Sequence, residues 1–242
     1  MDIPVLITYS NHGYIDFAVN LILNLESTLK NHKLHFYCLD KQTYDLLSNY
    51  SYPFLTLELF EQNINSGFQE YGTRSYNALT HTKTSILKHA LNKYPFIHFI
   101  DCDVVCVKEP NADYYAKYRE YDIVFQCDST SEKPMFSPWQ CTGNMSLRKT
   151  ARTMDLIERI DMCQKRYPLK NDQNCLEQVL ATNRVYDIRA FRGAKLYTYP
   201  RNEYCNGSWK GNTAEIYFFH ANHVSGKEPK IQLLKKINRW YT

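Results

Sequence analysis

An apolar segment that stops abruptly at two carboxylates constrains this chain more than any other feature: Phe96-Ile97-His98-Phe99-Ile100 runs straight into Asp101-Cys102-Asp103. A short, near-continuous apolar run reads as a strand in the interior of a sheet covered by helices. In an extended backbone residues two apart share a face, so the two carboxylates leave the strand on one side.

The rest of the first half supplies that sheet. Ile3 to Thr8 reads as a buried strand, Ser10 to Gly13 as a polar turn, and Phe17, Leu21, Ile22 and Leu25 recur at helical spacing. Strands follow at Leu34 to Leu39 and Phe54 to Leu59, with a helix around Tyr44, Leu46 and Leu47 between them. A helix over Tyr76 to Leu91 leads into the Phe96 strand, and another strand is expected at Asp122 to Gln126. Strand alternating with helix predicts an α/β fold with a mostly parallel central sheet flanked by helices. In such a sheet the ligand crevice lies beyond the carboxyl ends of the strands, where Asp101 and Asp103 stand. Further helices are expected at Ala151 to Gln164 and Asp172 to Ala181, a strand at Glu215 to Phe219, and a basic helix over about 229–241. Ser129 to Pro138 and Arg201 to Thr213 read as loops.

No repeat or low-complexity linker divides the 242 residues, which are read as one domain. The formal charge of +4 comes from 29 Lys and Arg scattered among 25 Asp and Glu, which calls for no nucleic-acid partner. The opening residues lack a basic, apolar export signal, and no apolar run spans a bilayer, so a soluble, cytoplasmic protein is expected. Eight cysteines without a C-x-x-C pair are expected to be reduced thiols.

Oxygen ligands at Asp101 and Asp103 suit Mg²⁺ or Mn²⁺, although the same tripeptide also occurs where one carboxylate caps a turn and the other is solvated. Lys83 falls within the apolar stripe of its helix, where an ammonium is costly unless it meets an anion or snorkels to the rim. A phosphate in the crevice is one partner open to it, and Asp101 is another. Late in the chain, Ile216 to Phe219 deliver His220, followed by Asn222, His223, Gly226, Lys227 and Lys230. An imidazole here can complete a metal shell or simply be hydrogen-bonded, and a glycine with lysines can receive a diphosphate.

Together these pieces resemble the nucleotide-diphospho-sugar transferase family, relatives of the retaining GT-A enzymes that include glycogenin and bacterial galactosyltransferases. The pieces read Asp101-Cys102-Asp103, Thr142-Gly143-Asn144, Asp172-Gln173-Asn174 and His220-Ala221-Asn222-His223-Val224-Ser225-Gly226-Lys227, in the family's order from Ile3 to Trp240. The resemblance implies a GT-A fold and transfer of a sugar from a nucleotide-diphosphate donor, UDP foremost, with retention. It implies Asp101, Asp103 and His220 as metal ligands, with His223 as a rival because it has the glycogenin-like spacing to Gly226. It also implies Thr8, Tyr9 and Asn11 at the nucleoside, Lys83 and Asp101 facing the donor, and Gly226 and Lys230 at the diphosphate. Asp172 and Gln173 are expected on the face of the reacting sugar carbon and Asn144 at its hydroxyls; Asn171 and Asp172 also suit helix capping.

The acceptor is expected to be a saccharide, glycoprotein or glycolipid, with Trp139 and Trp209 offering flat faces to a sugar or serving as core residues. The basic C-terminal helix can lie on an anionic membrane or pack on the domain. Two rival functions are weaker. A sugar-phosphate nucleotidyltransferase calls for a glycine-rich loop after the first strand, where only Gly13 stands, and a non-catalytic sugar-nucleotide or glycan-binding protein would have lost the polar groups that are present here.

Overall fold

The computed structural model describes residues 3–61, 64–130, 140–182 and 190–242. Its main sheet has eight strands: β1 (Val5–Ser10), β2 (Leu34–Cys38), β3 (Leu55–Leu59), β4 (Phe96–Ile100), β6 (Ile123–Cys127), β7 (Gln140–Arg148), β8 (Ala190–Phe191) and β9 (Ala194–Thr198). A smaller sheet joins β5 (Val104–Cys106), β10 (Tyr204–Asn206) and β11 (Phe218–His220). The helices are α1 (Ile15–Thr28), α2 (Lys41–Leu47), α3 (Arg74–Lys93), α4 (Ala112–Ala116), α5 (Ala151–Arg166), α6 (Asp172–Thr182) and α7 (Lys227–Lys236).

The large sheet runs β3-β2-β1-β4-β7-β6-β9-β8. Pairings β3-β2, β2-β1, β1-β4 and β6-β9 are parallel, whereas β7 is antiparallel to both β4 and β6. The order reverses direction between β1 and β4, which opens a crevice beyond their carboxyl ends. Because β7 runs the other way, its first residues, rather than its last, arrive at that crevice: Asp101 N–H donates to Gly143 O at 2.7 Å.

Helices cover both faces. Leu79, Ile86 and Leu91 of α3, Leu156 and Ile157 of α5 and Leu176 of α6 pack on one side with Ile97, Phe99 and Met145. Leu21, Ile22 and Leu25 of α1 and Leu47 of α2 pack on the other with Leu6, Phe36 and Ile100. Caps fix where several helices begin: Thr73 Oγ1 accepts from Tyr76 N at 3.2 Å, Asp40 Oδ1 from Thr43 N at 2.7 Å and Thr150 Oγ1 from Thr153 N at 3.1 Å. All eight cysteines are free, as expected.

Two expectations shift. The C-terminal helix begins at Lys227 and ends at Lys236 instead of running over 229–241. Asn238 takes φ 55°, its N–H reaches Lys235 O at 2.9 Å and Arg239 N–H reaches Leu234 O at 2.9 Å, a left-handed closure that stops the helix. Ile231, Leu234 and Trp240 pack with Phe17 and Phe219, so the helix lies against the protein, as the second of its two readings had it. The strand expected at Glu215 to Phe219 is Phe218–His220, and part of the expected Arg201 to Thr213 loop is β10, which pairs with it. Among the described residues no helix is long and apolar enough to cross a membrane.

Candidate active site

A cleft of about 320 Å³ lies at the switch point. β4 delivers Asp101 to it, and the turn into β5 brings Asp103 round, with Val104 N–H donating to Asp101 O at 3.0 Å. β11 is antiparallel to β5, His220 opposite Val104, so pairing of the small sheet places the imidazole beside the carboxylates. One ligand atom from each of Asp101, Asp103 and His220 falls within 4.8 Å of the others.

Gly143 allows this approach. A Cβ built there would meet His220 Cε1 at 2.4 Å and Asp101 Oδ2 at 2.5 Å, closer than any side chain tolerates. Behind the imidazole, Gln126 Nε2 donates to Cys205 O at 2.7 Å, which turns Gln126 Oε1 toward His220 Nδ1 at 3.1 Å. Nδ1 therefore donates to Gln126 Oε1, and Nε2 faces Asp103 Oδ1 at 3.3 Å. An imidazole lone pair and a carboxylate oxygen at that distance repel unless a proton or a cation lies between them. Two carboxylates and an imidazole, the latter held through its second nitrogen, are a donor set that fits Mn²⁺ or Mg²⁺.

Two lysines neutralise the cluster. Lys83 Nζ is 2.7 Å from Asp172 Oδ2 and 3.2 Å from Asp101 Oδ1, donates to Thr142 O at 3.2 Å, and lies 4.9 Å from the centre of the Phe99 ring. Burial favours its neutral form, but Asp101 and Asp172 override it and hold the ammonium well above its ordinary pKa. The expected carboxylate partner is thus the one Lys83 takes, in duplicate. Lys230 pairs with Asp103 Oδ2. Burial opposes the charge on Asp103, yet Lys230 and His220 keep its carboxyl well below the usual range, whereas burial pushes Asp101 upward even beside Lys83. Asp172 also accepts from Thr142 Oγ1 at 2.7 Å, and Asn171 Oδ1 caps α6 through Asn174 N at 2.8 Å. Capping falls to Asn171 alone, which leaves Asp172 facing the cleft.

The structure places Tyr9, Lys83, Asp101, Asp103, Asp172, Gln173, His220, His223, Gly226 and Lys230 around the one cleft. It separates the two histidines: His223, at φ 60°, points Nε2 at Asp128 Oδ1, 3.1 Å away, and stands outside the carboxylate trio. Three expected residues lie elsewhere. Thr8 is fully buried and does not line the cleft. Asn11 Nδ2 donates to Asn65 O at 2.8 Å and Gly67 O at 3.0 Å, so it clamps the chain that follows β3 and does not line the cleft. Asn144 is fully buried with Oδ1 against His98 Nε2 at 2.7 Å, because alternation along β7 sends it to the face opposite Gly143. Trp209 packs over the Arg201 guanidinium, 5.5 Å from ring centre to Cζ, outside the cleft, and Trp139 lies outside the described residues.

Asp128, just past β6, is a cleft residue that no sequence signal marked. It accepts from Gln173 Nε2 at 3.0 Å and Asn222 Nδ2 at 2.9 Å, and His223 and then Gln173 hold its carboxyl below the usual range against the effect of burial.

Comparison with known proteins agrees with this fold. The chain is similar in fold to the apo structure of the bifunctional glycosyltransferase WbbM, at 13% identity and TM-score 0.57 over 97% of this chain and 50% of that one, so it spans about half of WbbM's length. It is also similar to a glycosyltransferase involved in the glycosylation of the major capsid of PBCV-1, at 14% identity and TM-score 0.53 over 96% of this chain and 100% of that one. No curated protein sequence matches it. A family model for nucleotide-diphospho-sugar transferases matches residues 30–234, and with that span the chain belongs to the nucleotide-diphospho-sugar transferase family, built on a GT-A fold.

Proposed function

We propose that the chain is a metal-dependent glycosyltransferase that moves a sugar from a nucleoside-diphosphate donor, UDP-sugar foremost, to a glycan, glycoprotein or glycolipid acceptor with retention. The observation that carries this reading is the convergence of Asp101, Asp103 and His220 in a cleft that also holds Lys230 and Gly226 as well as Asp172 and Gln173.

Asp103, His220 and Asp101 would hold Mn²⁺ or Mg²⁺, which when bound supplies positive charge against the leaving diphosphate. Lys230 reaches the same place, and Gly226 at the N-cap of α7 supplies no side-chain cap, so the first amide groups of the helix are available to phosphate oxygens. Charge fixed where the leaving group develops its own stabilises the transition state more than the ground state. Lys83 acts as a strut between Asp101 and Asp172, setting the carboxylate of Asp172 toward the sugar. Gln173 gives its amide donor to Asp128, which leaves its carbonyl oxygen for the electron-poor carbon of an oxocarbenium-like transition state.

The test is calorimetric and thermal-shift titration of UDP, GDP, CDP and dTDP with Mn²⁺ and with chelator. One nucleotide is expected to stabilise the wild type by about 2–3 kcal/mol at a hundredfold excess over Kd, only with metal. Indifference to all four nucleotides under both conditions sinks the reading.

A further inference from the structure

The cleft lining holds two chemically distinct sets of side chains. In one, each lysine is engaged by a carboxylate, Lys230 by Asp103 and Lys83 by Asp101 and Asp172, and His223 Nε2 faces Asp128. The other is Tyr71, Tyr76, Gln69, Asn171 and Asn174, which carry rings and amides but no charge.

Tyr71 is conspicuous there. It is 64% exposed although it lines the cleft, and its ring centre lies 5.3 Å from that of Tyr76 at 60°. Burial first, and then Asp172 and Asp101 against the opposing charge of Lys83, raise the Tyr76 phenol above its ordinary value. Contacts thus pass stepwise from Lys230 and Asp103, through Asp101, Lys83 and Asp172, to Tyr76 and then Tyr71. A donor laid along this path, diphosphate on Lys230 and sugar by Asp172, leaves Tyr71 on the far side of the sugar. The amides share this scaffold. Asn77 Nδ2 of α3 donates to Leu169 O at 2.8 Å, and His81 Nε2 of α3 lies 2.6 Å from Lys170 O, so the loop carrying Asn171 is tied to the helix carrying Tyr76. Asn171 gives its oxygen to the α6 cap, which leaves its NH₂ group for a ligand acceptor.

We propose that Tyr71, backed by Tyr76 and flanked by Asn171 and Asn174, is the acceptor subsite and takes an uncharged saccharide. The proposal rests on the glycosyltransferase reading. An aromatic face with a few side-chain amides suits the C–H face and hydroxyl edge of a sugar ring. The carboxylates of Asp101 and Asp172 beside it, with their lysine already committed, disfavour a phosphorylated or uronic-acid acceptor.

The experiment compares wild type, Tyr71→Ala and Tyr71→Trp, with saturation-transfer NMR of methyl glycosides of neutral hexoses and pentoses, methyl glucuronide and glucose 6-phosphate, in the presence of Mn²⁺ and nucleotide. Tyr71 is exposed, so its replacement leaves the fold intact. At least one neutral glycoside is expected to bind wild type, to weaken by about tenfold in Tyr71→Ala and to be retained in Tyr71→Trp, with nucleotide affinity unchanged in all three. Neutral glycosides bound equally well by Tyr71→Ala, preference for the anionic sugars, or no glycoside bound to a wild type that does bind nucleotide overturns the proposal. Weakened nucleotide binding in Tyr71→Ala also overturns it, by moving Tyr71 to the donor. Failure of the wild type to bind any nucleotide strikes the glycosyltransferase reading itself and is thereby distinguished.

Discussion

His98 and His220 are both buried, both on strands, and both touch a side-chain amide oxygen, yet they serve opposite regions. His98, in the middle of β4, is closed on both sides: Nε2 donates to Asn144 Oδ1 at 2.7 Å and Nδ1 accepts from Tyr115 at 2.7 Å. Its ring lies among Tyr199, Tyr204 and Phe218, with centres 6.0, 5.8 and 5.0 Å away. Burial pushes its pKa down to about 3, so it is neutral at every physiological pH. His220 gives one nitrogen to Gln126 and turns the other to Asp103. Burial alone therefore does not separate a structural histidine from a site histidine; what separates them is whether the second nitrogen meets a neutral hydroxyl, as in His98, or a carboxylate with which it can share a cation, as in His220.

That contrast can be broken in order of expected effect. Asp103→Ala should lower transfer activity by about a thousandfold or more while the fold persists, measured by product formation alongside thermal unfolding. His98→Leu should do the reverse: it leaves the Asn144 and Tyr115 groups unpaired, costing about 2–4 kcal/mol in urea unfolding, with nucleotide affinity intact. A loss of nucleotide binding in that variant would erase the distinction between the two regions.

A carboxylate outside the cleft supplies a stability control. Glu109 accepts from the backbone N–H groups of Lys30, Asn31 and His32 at 2.8–3.1 Å and from His32 Nδ1 at 2.8 Å. Burial opposes its charge, but these hydrogen bonds hold its pKa at about 2. A depressed folded-state pKa gives stability that is complete above the unfolded value of about 4.3 and is lost as pH falls toward 2. Glu109→Gln should therefore cost about 2 kcal/mol at pH 7 and flatten that acid limb, read by unfolding at several pH values. The smallest change belongs to His223→Asn, which keeps a residue type that accepts φ 60° and removes one partly exposed contact to Asp128. Nucleotide affinity should move by about threefold at most in calorimetry.

Much of the fold was legible because its elements are long and periodic. The Phe96 to Ile100 strand and the α3 stripe with Lys83 inside it were readable from spacing alone. Of the small sheet only the strand that delivers His220 was. β5 and β10 are three residues each, too short to carry a period, and Tyr204–Asn206 sits among Asn and Gly residues that signal loops. Asp128 escaped because its partners lie 45, 94 and 95 residues away, so the hub exists only once β6, α6 and the segment after β11 have assembled. Asn144 was misassigned for the converse reason: it is adjacent to a cleft residue in sequence, and adjacency in a strand means the opposite face.

Gly143 ties three positions into one heritable unit. A Cβ there collides with both Asp101 and His220, so the glycine can gain a side chain only if both neighbours move or shrink. A lineage that enlarged this position would have to alter the two neighbours first or pass through an intermediate in which the strand, the carboxylate and the imidazole no longer fit. The smallest residue in the cleft thus makes its history epistatic.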